Sequence, residues 1–411
     1  ELSEVLELCN AFKQPVVPHG GLTGLAEGAI SKKGQIAISS ERLVEIEEID
    51  TVGRTMTLQA GVPLERAQQE AEKHDLMLAV DLGARGSCTI GGNIATNAGG
   101  NMVVKYGMTR ESVLGLEAVL ADGRVVSSMN RMLKNNSGYD LKQLFIGTEG
   151  TLGFVTKAVL RLREKPKSTN TALLAMNTFE QVTKFLKHVD RGLGGNMSAF
   201  EVMWEDFYSQ VTSPPAVNSP PLKQGFPYYI LVESSGSNQD KDSEHFENLL
   251  EQALNKELIE DAVVSKSDSE RGTLWAIRDD VEQHYQDGPV KMFDVSMPIL
   301  CMENYIEEMN NKFREHWNDY KCVVFGHLAD GNLHVVAGVG SEDKESIKKM
   351  ESCIYEPLKP IKGAISAEHG IGLEKKDYLF ISRSEIEINI MKSLKETLDP
   401  NGILNPGKVF D

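Results

Sequence analysis

The chain has 411 residues, 41% of them hydrophobic and 25% charged, and carries a net charge of −17. That length can bury more than one sizeable core, and the acidic balance disfavours nucleic acid and anionic membrane surfaces as partners. No run of about 18 apolar residues reads as a membrane span. The five scattered cysteines (Cys9, Cys88, Cys301, Cys322, Cys353) include no CxxC pair, so neither an iron–sulfur site nor a disulfide framework is expected and a reducing compartment fits.

The first residue is Glu1, and residues 1–12 already read as the body of an amphipathic helix, so a preceding N-terminal segment is expected. Strands are predicted at 15–19, 35–39 and 55–60, a helix over 63–74, and a hairpin from 116–120 through the turn ADGR to 125–126. Lys165-Pro166-Lys167 reads as a domain exit. Beyond residue 170 come the strand ALLAM, a helix at 179–191 and a Pro-rich loop at 213–221. The strand YYILVE, a helix at 242–253 and a strand at 262–265 follow. This β-α-β-β-α-β rhythm predicts a split βαβ, ferredoxin-like layer of antiparallel strands backed by helices. A helix over 271–284 carries Arg278. A His-rich hairpin, a helix at 342–359, the phrase AISAEHGIGLEKK, a helix at 385–398 and the tail DPNGILNPGKVF complete the chain.

Gly20-Gly21-Leu22-Thr23-Gly24 follows the strand-like run VVP. Closely spaced glycines permit positive φ and close backbone approach, so successive N–H groups can converge on an anion, with the Thr23 hydroxyl as a further donor. Taken alone, the phrase reads equally well as an ordinary turn. It is neither GxGxxG with a downstream ribose-binding acid nor GxxxxGK[ST], which disfavours a nicotinamide Rossmann site and a P-loop. Residues 82–100 (LGARGSCTIGGNIATNAGG) form a longer phrase. Such a mixture is poor core material but suits wrapping an extended polar ligand. Its candidate cofactor contacts are Leu82, Gly83, Ser87, Gly91, Gly92, Asn93, Thr96, Asn97, Gly99 and Gly100, with Tyr106 and Gly107 just beyond. Residues 144–155 (LFIGTEGTLGFV) add Glu149, Gly150, Gly153 and Val155. Together the phrases fit a pyrophosphate joined to a ring system better than a lone phosphate.

Residues 325–336 read FGHLADGNLHVV. Asp330-Gly331 is a favoured two-residue hairpin turn. Pairing outward from it sets Ala329 against Asn332, Leu328 against Leu333 and His327 against His334. Directly opposed side chains share a face, with Cβ atoms roughly 4.5–5.5 Å apart, close enough for two imidazoles to share one ion. Two stacked histidines without a metal are the plainer alternative. Residues 366–372 (SAEHGIG) add an acid and a third histidine. Two His and one carboxylate make a catalytic metal set with positions left for substrate. Glu368 is then the third ligand, and His369, pointing the other way in a locally extended segment, is the candidate for proton transfer. Zinc is the first expectation and manganese the second; N/O ligation does not decide between them.

The 20–24 and 82–100 phrases, residues 136–144 (NSGYDLKQL) and IGTEGTLG resemble the flavin-binding half of the vanillyl-alcohol oxidase / p-cresol methylhydroxylase (VAO/PCMH) superfamily. Within it the chain is similar to the group of D-2-hydroxyglutarate and D-lactate dehydrogenases, over nearly its whole length. The resemblance implies an α+β protein with a VAO/PCMH-type FAD-binding domain at 1–168 and a ferredoxin-like antiparallel-sheet domain for substrate and metal at 169–340. A small C-terminal helical segment at 341–411 would close onto the flavin. FAD is implied to be non-covalent, since Leu22 stands where covalent members often carry His, and His19 precedes the glycines. Asn405, in the tail NGILNPGK, is implied to touch the isoalloxazine. His327, His334 and Glu368 take the ligand roles, with Asn332 and His369 near substrate. Arg278, in LWAIRDD, reads on sequence alone as equally a solvated helix residue paired with Asp279 or Glu282; the resemblance makes it the partner of a substrate carboxylate. The chain also departs from the pattern. The 2-hydroxyglutarate enzymes usually carry Lys two residues before the strand Asp. Here Met292 holds that place before Asp294, with Lys291 one residue earlier as the candidate substrate cation, and Glu282 replaces a hydroxyl on the Arg278 helix. A one-residue shift along a strand reverses its face.

The implied activity is oxidation of a D-2-hydroxy acid, first D-2-hydroxyglutarate to 2-oxoglutarate, with D-lactate or D-malate as alternatives. A divalent metal would act as Lewis acid, His369 as general base, Arg278 as carboxylate clamp and flavin as hydride acceptor. Without a haem or iron–sulfur motif, an external acceptor such as an electron-transferring flavoprotein or quinone is implied. A homodimer and a cytoplasmic or mitochondrial-matrix location are further family-based expectations. Two rivals stand beside this reading. One is a metal-dependent hydrolase whose glycine phrases only shape loops. The other is a non-catalytic FAD-fold subunit, against which the His-His-Glu set argues.

Overall fold

A computed structural model describes residues 1–286 and 288–411. One compact unit consists of Glu1–Lys165 with Glu368–Asp411, the other of Pro166–Ala367. The division falls beside the 165–167 stretch. Of the C-terminal segment, residues 341–367 belong to the second unit and 368–411 to the first.

In the first unit, β1 (Val16–His19) pairs in parallel with β2 (Ile36–Ser39). β3 (Ile46–Asp50), β4 (Thr55–Gln59), β5 (Val113–Val119), β6 (Val125–Ser128) and β7 (Phe154–Arg161) form an antiparallel sheet in the order β3-β4-β7-β5-β6. The expected hairpin is present as Val119 opposite Val125. The helix Leu64–Glu72 buries Leu64, Ala67 and Ala71, three and four residues apart, in the core of this sheet. The helix Ile90–Thr96 puts Ile90 and Ile94 into the same core, and the Thr89 side chain caps it by accepting the Gly92 N–H. The long glycine phrase is thereby fixed to a rigid scaffold. The helix Glu385–Leu398, opened by a Ser384/Glu387 capping box, leads to a tail that pairs with β1: Val16 N–H donates to Ile403 O at 2.7 Å and Asn405 N–H to Val16 O at 2.7 Å. The Lys395 ammonium donates to Thr151 O at 2.8 Å, to Leu404 O at 2.7 Å and to the Asp399 carboxylate, which joins the tail to the GTEGTLG loop.

The second unit holds β8 (Ser168–Met176), β9 (Met197–Trp204), β10 (Tyr228–Gly236), β11 (Asp261–Val264), β12 (Lys291–Ser296), β13 (Lys321–His327) and β14 (Asn332–Gly338). They form one sheet in the order β11-β8-β10-β9-β13-β14-β12, with every neighbouring pair antiparallel. The first four strands stand in the order fourth, first, third, second, with Phe179–Leu193 and Gln239–Asn255 as the crossovers, which is the ferredoxin-like arrangement. Side chains alternate between the two faces of a strand. One face packs Phe200 on Phe185 of the first crossover helix. On the other, Met203, Leu231, Phe325 and Val336 pack on Leu274 and Ile277 of the helix Asp268–Asp279.

Two local expectations are corrected. The helix expected over 271–284 ends at Asp279, and a 3-10 turn follows at Val281–Tyr285. The polar groups of that turn are engaged elsewhere: His284 Nδ1 lies 2.6 Å from Gln210 Oε1, and His284 O accepts from Lys321 Nζ at 3.0 Å. The histidine hairpin does not close on a two-residue turn. A 3-10 turn at Leu328–Asp330 lengthens the loop, held by Met297 N–H on Gly331 O at 2.9 Å, and the residue opposite His334 is Phe325 rather than His327.

Candidate active site

The register error moves the pairing by two residues, and a shift of two preserves the face where a shift of one would reverse it. His327 and His334 are therefore diagonal neighbours on one face, with ring centroids 5.3 Å apart and a nitrogen from each ring within 4.8 Å of the other. Each has a carboxylate directly across the strand. Glu201 on β9 faces His327, and Asp294 on β12 faces His334.

Glu201 is only 1% exposed. Its Oε1 lies 2.9 Å from His327 Nδ1, and its Oε2 accepts from Arg278 Nε at 2.8 Å. Arg278 Nη2 lies 3.2 Å from His327 Nε2. An ionised carboxylate only accepts and a guanidinium only donates. His327 must therefore carry its proton on Nδ1 and present the Nε2 lone pair, the tautomer that metal-binding histidines with a carboxylate behind them adopt. Burial is the largest single influence on Glu201 and raises its pKa, but His327 and Arg278 together outweigh it, so the carboxyl lies below its ordinary value. Arg278 is 6% exposed, and its guanidinium stands 5.2 Å from the centre of the Phe325 ring. It is thus a buried, polarised cation and not a solvated helix residue.

On the neighbouring strand, Asp294 is fully buried. It accepts from Asn332 Nδ2 at 2.9 Å and from Ala367 N–H at 3.0 Å, and lies 3.8 Å from His334 Nδ1. Asn332 Nδ2 also reaches Val295 O at 2.9 Å, which fixes the amide orientation and leaves its buried Oδ1 with no donor among the described residues. Lys291, expected at the substrate, is corrected. It lies on the opposite face with Phe293, paired to Glu351 Oε1 at 2.5 Å, while Phe293 packs on Tyr355 of the helix Lys344–Tyr355. Met292, on the Asp294 face, packs against the apolar cluster that includes Ile277, Phe325 and Val336.

The first unit contains an open cleft walled largely by its glycine phrases. Gly20, Gly21, Leu22, Thr23, Gly24, Gly91, Gly92, Asn93, Thr96, Glu149, Gly150, Gly153, Val155 and Asn405 line it, together with His369. The remaining expected contacts lie outside the lining. Asn97 ends the helix Ile90–Thr96, and its Oδ1 accepts from Arg110 N–H at 2.9 Å. Gly100 N–H donates to Glu368 Oε1 at 2.7 Å, and a Cβ on Gly99 would collide with that carboxylate. Tyr106 lies under Lys105 and Arg163, and Gly107 ends the short helix Val103–Tyr106. Leu82, Gly83 and Ser87 belong to the loop that leads into the helix. This half of the phrase shapes the loops and holds the Glu368 segment. Thr89 and Ser40 were missed as lining; a cap threonine and a strand-end serine carry no distinct signal in sequence.

No Lys or Arg lines the cleft among the described residues, so a diphosphate there must be met by backbone N–H groups and hydroxyls. Asn405 Nδ2 donates to Gly28 O at 3.1 Å and to Glu149 O at 2.7 Å, while its buried Oδ1 has no donor among the described residues. That orphaned acceptor, in a glycine-walled cleft, fits a flavin N–H. A Cβ on Gly21 would overlap the Ser87 carbonyl and stand 2.8 Å from Cys88 Cα, both backbone atoms. Overpacking of this kind costs about 1–3 kcal/mol. Gly21→Ala is therefore expected to weaken FAD retention about tenfold or more, read from the visible flavin absorbance that survives gel filtration; full retention contradicts the packing.

Comparison with known proteins bears on this cleft. A family described as "FAD binding domain" matches residues 1–128, and one described as "FAD linked oxidases, C-terminal domain" matches residues 165–409. The mitochondrial D-2-hydroxyglutarate dehydrogenase of Danio rerio is 37% identical over 412 residues, spanning 100% of this chain and 76% of that protein. A Schizosaccharomyces pombe mitochondrial protein, named provisionally as a D-lactate dehydrogenase, is 36% identical across 99% of this chain and 79% of its own. Among solved structures, p-cresol methylhydroxylase with substrate bound matches with a TM-score of 0.78 at 14% identity, covering 100% of this chain and 87% of that one. The fold is of the VAO/PCMH type, and FAD is the cofactor of the family.

Proposed function

Because the chain belongs to the FAD-linked oxidase family that includes the D-2-hydroxyglutarate dehydrogenases, we propose that it oxidises a D-2-hydroxy acid to the 2-oxo acid, with D-2-hydroxyglutarate as the leading substrate. The observation that carries this reading is the buried Glu201–His327–Arg278 chain of hydrogen bonds. It supplies both an imidazole lone pair and a guanidinium on one face of the sheet.

His327 and His334 would hold a divalent metal, zinc first and manganese second, with Glu368 as the third ligand. Glu368 is consecutive in the chain with Ala367, whose N–H donates to Asp294. The donor set fits: Glu201 fixes the tautomer of His327, and Asp294 stands behind His334. When bound, the metal supplies positive charge that lowers the pKa of the substrate hydroxyl. With His327 Nε2 committed to the metal, Arg278 Nη2 would be left to donate a charge-assisted hydrogen bond to the substrate carboxylate. Asn332 Oδ1 accepts a hydrogen bond from substrate. His369 takes the hydroxyl proton as general base. FAD, held non-covalently, supplies the two-electron acceptor for the hydride leaving C2. An external carrier, such as an electron-transferring flavoprotein or a quinone, would serve as the final electron acceptor.

A second reading, D-lactate or D-malate, rests on Met292. Its apolar side chain occupies the site face while Lys291 is turned away, which removes one cation from the end where a longer substrate's second carboxylate would lie. Dye-linked turnover of D-2-hydroxyglutarate, D-malate and D-lactate separates the two readings by kcat/KM; no turnover of any of them contradicts both. Removal of metal with a chelator should abolish most turnover without releasing flavin, with recovery on adding zinc or manganese. Turnover that survives complete metal removal, verified by elemental analysis, contradicts the metal role.

A further inference from the structure

We infer that Glu149 is a positioning residue that holds the segment bearing His369, an inference that rests on the general-base reading of His369. Glu149 was expected among the cofactor contacts, but its carboxylate is engaged by backbone. Oε1 accepts the Ile371 N–H at 2.6 Å and Oε2 the Gly372 N–H at 2.8 Å. These amides lie two and three residues beyond His369. On the other flank, Glu368 Oε1 accepts the Gly100 N–H at 2.7 Å. The histidine is therefore tethered on both sides.

The anchor itself is rigid. Glu149 is 9% exposed and adopts φ +54°, a left-handed conformation rare outside glycine. Its N–H donates to Ala95 O at 2.7 Å in the helix Ile90–Thr96, and its carbonyl accepts from Asn405 Nδ2 at 2.7 Å. The core helix, the tail and the GTEGTLG loop thus converge on one residue. The tethered chain passes close over the carboxylate. Gly370 stands at φ +81°, and a Cβ there would lie 2.9 Å from Glu149 Oε1. Burial is the largest influence on the Glu149 pKa and raises it, while the two amides, Lys375 and Lys408 oppose it. Hydrogen bonds from amides to a carboxylate are shorter and stronger than neutral ones. A general base must sit within hydrogen-bond reach of its proton, and a 1 Å misplacement can cost about 10²-fold in rate. Farther along the same segment, Leu373 N–H donates to Ala26 O at 3.1 Å and Gly372 O accepts from Val409 N–H at 2.9 Å, so the two Glu149 bonds are the side-chain part of the hold nearest the imidazole on its C-terminal flank.

The test pairs a structural readout with a kinetic cycle. Glu149→Gln keeps the shape but sets an NH2 group against one of the two amide donors. Hydrogen-exchange mass spectrometry of the peptide spanning residues 366–375 is expected to show exchange about tenfold faster or more. Turnover should fall through kcat with KM little changed and flavin retained. In the His369→Ala background the same substitution should have no further effect, because it acts through the missing imidazole. Unchanged exchange, or an equal loss of kcat in the His369→Ala background, overturns the inference. Should Glu149→Gln not fold, Glu149→Asp keeps the charge but draws the carboxylate back from the Ile371 and Gly372 amides, and the same two results are expected or overturn it. If His369→Ala leaves turnover intact, the base reading fails and the exchange result still decides whether Glu149 holds the segment.

Discussion

Replacing His369 with alanine is expected to lower turnover of a D-2-hydroxy acid by about 10²–10⁴-fold, the usual contribution of a positioned general base, while FAD stays in place. His369 lines the cleft of the first unit. The cleft walls that would grip the cofactor are glycine backbone, hydroxyls and Asn405. Turnover and cofactor retention should therefore separate: visible absorbance gives the flavin content, and dye-linked assay under saturating substrate gives kcat. A loss smaller than about threefold would remove His369 from the chemistry, since that corresponds to less than 1 kcal/mol of barrier. Loss of flavin along with activity would instead assign His369 to cofactor binding.

The second large effect concerns stability. Glu201→Gln removes the counter-charge of a guanidinium that is 6% exposed and leaves His327 without a strong acceptor behind Nδ1. Breaking a buried pair from one side costs about 3–5 kcal/mol, because the remaining charge is stranded away from water. Denaturant unfolding of the two proteins at matched FAD should show this as a lower midpoint at unchanged slope. The pH dependence has a definite sign. The Glu201 carboxyl lies below the ordinary value of 4.5 in the folded protein, burial opposing and His327 with Arg278 prevailing. A group so shifted adds stability that is fully present above its unfolded pKa and is lost as pH falls through the folded one. The margin of the wild type over Glu201→Gln is therefore full at neutral pH and shrinks in acid below 4.5. A margin that is small at neutral pH, or one that grows in acid, contradicts the buried triad.

What was legible in the sequence follows the strength of its periodicities. The crossover helices of the second unit were visible because Phe179, Val182, Phe185, Val189 and Leu193 repeat at helical spacing behind a capping box. The flavin half was visible because dense glycine phrases are poor core material. The hairpin register was not: Asp330-Gly331 looked like a complete turn, but turn residues are local, while the loop is lengthened by a contact with Met297 remote in sequence. The facing of the two histidines survived only because the error was an even number of residues. Lys291 shows the opposite case, where one residue of displacement set the cation on the wrong face. Glu201 was missed altogether. Its signal was a lone acid in the apolar run MSAFEVMW, and the same mark accompanies the buried acids of YYILVE and KMFDVS. A burial pattern of this kind shows that a carboxylate is paired; only the cross-strand register shows with what.

The most direct test is an anaerobic titration of the purified holoenzyme with D- and L-2-hydroxy acids, followed in the flavin's visible absorbance. Stoichiometric bleaching by a D-2-hydroxy acid, with release of the corresponding 2-oxo acid and no response to the L enantiomer, is the result predicted. An oxidised flavin that persists through every D-2-hydroxy acid, or one bleached equally by both enantiomers, contradicts it.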